Sequence, residues 1–242
     1  RSNPGAELHA GFSLTSSPGH LALFEPDGIT RSSAFDYPRQ FYGVSFGAGG
    51  YFGTPTPGTP NGPVDFTDFV RDTSFSADRG FYEDPIRVEI TTRTEGASIY
   101  YTTDATVPSP ANGTLYTGPV LIETTTVLRA VATRPGLVSS NVDTQTYIFL
   151  ADVIRQPAAP PGAPATWGVD NSVAQGATNL PRPADYEMDP GIIGQFGEGA
   201  VLAALRNHPT ISVVLEPEDL WNESRDPAIG GIYPNPYGGT GN

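Results

Sequence analysis

The chain has 242 residues, with 28 Gly, 25 Pro, 38% apolar residues, no Cys and a formal net charge of -13, its basic residues all being Arg. That length suits one to three cores, and so much Gly and Pro favours short strands and turns over long helices. The acidity argues against a nucleic-acid partner, whose phosphates such a surface repels, and the missing Cys excludes disulfides and thiolate chemistry.

No apolar run approaches the roughly 18 residues that span a membrane, so no membrane insertion is expected. Residues 1–62 read as strands and turns. In AGFSLT, Ala10, Phe12 and Leu14 share one face of a predicted strand. GHLALFEPDGIT places Asp27-Gly28 after an apolar run, a strong hairpin signal. YGVSFGAGGYFGTPTPGTPNG then decays into Gly, Pro and Thr, as a domain end does. A unit of about sixty residues without disulfides buries only about 60% of its unfolded surface. Its first strands are therefore expected before Arg1 or from a neighbour, and residues 63–79 are expected to be a linker.

Residues 80–150 form the clearest unit. IRVEITT alternates Ile86, Val88 and Ile90 inward with Arg87 and Glu89 outward. ASIYYTT, TLYTGPVLI, TTVLRAVAT and VDTQTYIF follow at short intervals, with Arg134-Pro135-Gly136 as a turn. Such spacing predicts an antiparallel sandwich. Its expected core is Ile86, Val88, Ile90, Ile99, Tyr101, Val120, Ile122, Leu128 and Ile148, with Thr102 facing solvent. From 151 to 184 the composition is that of a stiff Pro/Ala-rich linker. Residues 185–242 then offer a helix in EGAVLAALRNHP, striped by Val201, Leu202 and Leu205 and stopped by Pro209, and a buried strand in TISVVLEP. One helix and one strand cannot close a core, so this part reads as the start of a truncated domain. The predicted class is all-β: immunoglobulin-like antiparallel β-sandwich modules joined by Pro-rich linkers, with one short helix near the C-terminus.

Three stretches carry family resemblances. PGAELHAGFSLTSSPGHLALFEPDG, with FDYPRQFYGVSFG and YFGTPTPGTPNG, resembles the second half of a bacterial lamin-tail domain. DPIRVEITTRTEGASIYYTTDATVPSPANGTLYTGPVLIETTTVLRAVATRPGLVSSNVDTQTYIF is similar to the C-terminal module of chitobiases and β-hexosaminidases. That family usually has Asp-Gly after the Tyr-Thr-Thr strand; here Ala105 follows Asp104, and the turn type stays open. DYEMDPGI, HPTISVVLEPEDLW and GIYPNP resemble the opening of a CotH-type spore-coat kinase domain. The nucleotide- and metal-binding residues of that family have no counterpart in this chain. The order of the three implies a large secreted or cell-surface bacterial protein.

Candidate chemistry is sparse. His9, His20 and His208 show no zinc spacing, and GAGGYFG runs into Pro and Thr rather than a helix, unlike a phosphate-cradling loop. Asp185, Glu187 and Asp189 set three carboxylates at alternate positions, a pattern that can hold calcium, although the EF-hand Gly and Glu are missing and a solvated loop is the plainer reading. Glu216, Glu218 and Asp219 share that ambiguity. Tyr100, Tyr116 and Tyr147 fall on the polar phase of their strands, where they would stack on sugar rings or simply cover the sheet. No catalytic residue and no cofactor are assigned. The expected function is a non-catalytic scaffold, adhesion or assembly segment, extracellular or at the cell surface. Its expected partners are other domains of the parent chain or neighbouring subunits, with polysaccharide as a further option. The alternatives are a carbohydrate-binding accessory module and the N-terminal portion of a CotH-type atypical kinase.

Overall fold

A computed structural model describes residues 13–216 except 42, 48, 57, 162 and 171–179, together with Asp219. His9, Ala10, Phe12, Glu218 and the GIYPNP motif lie outside the described residues. Two compact units are present, Arg1–Val70 with Arg134–Ser139, and Arg71–Thr133 with Ser140–Asn242.

In the first unit, β1 (Gly19–Phe24) and β2 (Arg31–Tyr37) form an antiparallel hairpin. Asp27 makes its turn: Oδ1 accepts the Ile29 and Thr30 N–H groups, both at 2.8 Å, and Oδ2 accepts the Thr30 hydroxyl. These bonds hold the Asp27 carboxyl below its ordinary range. Gly28 takes φ +69°, which a side chain would resist. Leu14 sits in irregular chain, not in the expected strand.

A second hairpin, β3 (Ser45–Gly47) with β4 (Gly50–Phe52), buries Tyr51 and Phe52. Tyr51 exchanges both backbone hydrogen bonds with Phe66. Its ring meets Phe69 edge-on at 4.4 Å and Phe46 at 4.9 Å, and Phe69 stacks on Phe41 at 3.4 Å. Phe69 belongs to β5 (Asp68–Phe69), which pairs in parallel with residues 137–138. This aromatic cluster is the unit's core. It reaches beyond residue 62, so the segment expected as a linker from 63 carries structure.

The second unit begins with β6 (Thr73–Phe75), β7 (Gly80–Tyr82), β8 (Ile86–Val88), β9 (Ile90–Thr92) and β10 (Ser98–Thr102). There follow β11 (Thr114–Leu115), β12 (Val120–Ile122), β13 (Thr126–Thr133) and β15 (Asp143–Phe149); the intervening β14 (Leu137–Val138), whose residues are those paired with β5, belongs to the first unit. One layer is a five-stranded sheet in the order β11-β10-β13-β15-β7, antiparallel except for the parallel edge β15-β7. The IRVEITT run supplies the facing layer. Its first half pairs with β12 and its second half with β6.

Between the layers lie Val88, Ile90, Val120 and Ile122 from one side and Ile99, Leu128, Ala130, Ala132, Tyr147 and Phe149 from the other, all buried. Most of the expected core holds, with Ile86 and Tyr101 half-buried at its margin. Two assignments are corrected. Ile148 lies on the opposite face of β15, because Tyr147 and Phe149 together bury more area than one Ile. Thr102 is 8% exposed, as buried as Ile99, and donates its hydroxyl to the Thr106 carbonyl at 2.6 Å.

After β15 the chain does not leave as an extended linker. It turns into α1 (Leu150–Val153), which buries Leu150 and the following Ile154. Thr125 fixes this corner: its N–H donates to Asp152 Oδ2 at 2.7 Å and its hydroxyl bonds the Phe149 backbone. Further on, β16 (Thr166–Asp170) and β17 (Leu180–Pro183) pair antiparallel within the expected linker.

Helices α2 (Pro190–Phe196) and α3 (Glu198–Asn207) then pack on each other. The expected stripe on α3 is found, with Val201 buried and Leu202 and Leu205 half-buried, and the helix stops before Pro209. Among the described residues there are thus three short helices where one was expected. Residues 210–216 of the TISVVLEP run form no strand and pair with none among the described residues. Ile211 is 87% exposed and Val213 72%, against the expected burial.

Three outcomes follow in denaturant and exchange experiments. Ile99→Ala should cost about 2–5 kcal/mol in a urea melt. Thr102→Ala should cost about 1–2 kcal/mol, since it strands the Thr106 carbonyl; a cost near zero would mean that this face meets water. An isolated 1–62 peptide lacks Phe66, Phe69 and β14. Its amides should exchange at unprotected rates, and protection matching that in the whole chain would show that the Tyr51 cluster is dispensable.

Candidate functional site

The faces of the five-stranded sheet follow from register. Tyr100 pairs with Val131 and Leu115, Arg129 with Thr144, Val127 with Thr146, and Ile148 with Phe81. These side chains share the outer face, away from the core. Residues 209–216 run across it as a strap. Ser212 Oγ lies 2.9 Å from Thr146 Oγ1, and Arg129 Nη1 donates to Glu216 Oε1 at 2.7 Å.

Arg129 is the charged centre of this face. The same Nη1 donates to the Ala105 carbonyl at 2.7 Å, and its buried Nε has no hydrogen-bond partner among the described residues. A half-buried guanidinium clamped by one carboxylate and one carbonyl holds the strap in one place. Loss of Glu216 would leave that charge poorly paired in a low-dielectric site.

The turn beside it settles the open question at Asp104. Ala105 has φ +68°, the left-handed conformation that favours Gly. Asp104 Oδ1 accepts both the N–H and the hydroxyl of Thr106, at 3.1 and 2.6 Å. Those bonds draw its carboxyl below the ordinary range. The carboxylate serves the fold.

The three candidate tyrosines do not come together. Tyr100 is half-buried on the outer face. Tyr116 lies on the core side, where its ring meets Tyr101 edge-on at 6.5 Å. Tyr147 is corrected outright: it is fully buried and donates its hydroxyl to the Ala77 carbonyl at 3.0 Å, so no sugar can reach it. Burial, with Tyr82 and Asp78 nearby, pushes its phenol well above the usual tyrosine range. The aromatic missed by periodicity is Phe81, which register places beside Ile148 on the outer face. The alternation in Gly80-Phe81-Tyr82 was its one signal, and three residues are too few to phase.

Two of the three DYEMD carboxylates are used locally. Asp185 Oδ1 accepts the Glu187 N–H, and Asp189 Oδ1 caps α2 by accepting the Gly191 N–H at 2.8 Å. No group of three or more His, Cys, Asp or Glu side chains placed to hold a metal ion occurs among the described residues. The calcium pattern therefore does not form a gathered site. Of the histidines, His20 pairs with Asp36 at 2.6 Å on the exposed hairpin, and His208 bonds the Ala204 carbonyl.

Residues 77–144 match the family model of the chitobiase/beta-hexosaminidase C-terminal domain. That domain has an immunoglobulin-like β fold and is a non-catalytic accessory module. The match spans β7 to the start of β15, the two-layered sandwich described above. No curated protein matches the chain, and no solved structure does.

The Ala105 turn yields a direct test. Ala105→Gly should relieve the left-handed strain and raise stability by about 0.5–1 kcal/mol, net of the freer unfolded chain. A loss of stability in a chemical melt would mean that the Ala105 methyl packs and that the turn is not strained.

Proposed function

We propose that the chain is a non-catalytic segment of a larger secreted or cell-surface bacterial protein, in which small β-sandwiches space and present other domains. The lamin-tail resemblance before the sandwich belongs to this reading, as does the extracellular setting. The carrying observation is how the carboxylates are used. Asp65, Asp104, Asp143 and Asp152 each accept backbone N–H groups, from Gly53, Thr106, Thr73 and Thr125. Groups used in this way stabilise corners rather than stand poised as acids or bases. Among the described residues, no helix is long and apolar enough to cross a membrane.

A second reading makes the sandwich a carbohydrate-binding accessory. It is favoured by the outer face, where Tyr100 and Phe81 stay partly accessible beside hydroxyl side chains. Aromatic faces with flanking hydroxyls suit the C–H faces and hydroxyls of sugars.

Purified 1–242 should hydrolyse neither ATP nor aryl glycosides. Turnover that survives repurification and tracks a point variant would overturn the non-catalytic assignment. On a glycan array, binding lost in Tyr100→Ala would favour the second reading, and a blank array would leave the scaffold reading alone.

A further inference from the structure

The strap does more than cover the sheet. Where residues 210–212 pass over β15 and β7 they leave a cleft of about 520 Å³. Among the residues that line it, Phe81, Ile148 and Thr146 form the floor, Thr210 and Ser212 stand on the strap side, and Arg79 lies beside them. We propose that this cleft binds a saccharide ring carrying an acidic substituent, a uronate carboxylate or a sulfate ester. This deepens the carbohydrate reading and rests on it.

The lining supports that ligand class piece by piece. Phe81 and Ile148 are adjacent in register on one sheet face and offer an apolar platform for the C–H face of a pyranose. Thr146, Thr210 and Ser212 carry hydroxyls that donate to or accept from ring hydroxyls. A volume near 520 Å³ lies within the usual range for small-ligand pockets.

Arg79 selects the charge. The chain carries 26 acidic and 13 basic residues, yet Arg79 has no carboxylate within salt-bridge distance among the described residues. Its neighbour Asp78 acts on the Tyr147 hydroxyl, on the core side. The backbone beneath is held, since the Arg79 N–H donates to Gln145 Oε1 at 2.9 Å. An acidic protein repels anions at long range, but at physiological salt that repulsion is screened beyond about 8 Å, and contact with a guanidinium then decides affinity. Two contacts fix the strap against the sheet beside the cleft. Ser212 meets Thr146 at its edge, and Arg129 holds Glu216 farther along the strap.

The test uses the whole chain and two probes, digalacturonate and its neutral counterpart digalactose, followed by amide chemical-shift titration. Digalacturonate should bind at least tenfold more tightly and shift residues 79–81, 146–148 and 210–212. Arg79→Met should abolish that preference, and Phe81→Leu, which keeps an apolar side chain in the sheet, should weaken both probes several-fold. If a neutral glycan binds and depends on Tyr100 but not on Arg79, the carbohydrate reading stands and the cleft assignment falls. If neither probe binds at millimolar concentration, both fall. A tripeptide with a free C-terminal carboxylate that competes as well as digalacturonate would overturn the saccharide class.

Discussion

The middle of the molecule depends on β13 being buried on both faces. Toward the core, Leu128, Ala130 and Ala132 are fully buried, and the two alanines leave room for the facing layer to approach. Toward the outside, Val131 is buried and Arg129 is clamped between Ala105 and Glu216. Both edges of the strand are paired, with β10 on one side and β15 on the other. A strand so enclosed cannot change register without moving its entire apolar set to the wrong face. The partners must conform to it, and β10 and β15 then carry β11 and β7 at the sheet edges.

Function is constrained by the same arrangement. With the core face of the sandwich filled and its corners tied by carboxylates, the outer face and the sheet edges remain open to recognition. The strap divides that outer face, clamping at Arg129 and leaving space over Phe81. A module of this kind acts through what it presents, and the segments that cross it decide what is presented.

Much of the sandwich was legible because alternation over three inward positions, Ile86, Val88 and Ile90, has one solution. The strand β15 was not legible, since DTQTYIF has apolar residues on both phases and only the volume of Tyr147 plus Phe149 decides between them. Thr102 followed alternation to the outer face, but burial there comes from the Thr106 loop, which no two-residue period encodes. The corner at α1 depends on Thr125 bonding Asp152 across 27 residues. Composition alone reads that stretch as the start of a linker. The strap misled for a related reason: its β-branched run suggested burial, whereas its polar Ser212 and Glu216 engage the sheet and Ile211 and Val213 face outward. At the candidate site, the sequence offered three tyrosines by phase, and cross-strand register retained only Tyr100 and added Phe81.

Native-state hydrogen exchange on the intact chain tests the central claim most directly. If β13 is the doubly covered keystone, amides of residues 128–132 exchange only through global unfolding, with free energies equal to that of the denaturant melt and orders of magnitude more slowly than those of the exposed β1–β2 hairpin. Exchange of β13 through local opening, at rates like those of β1 and β2, would contradict the account.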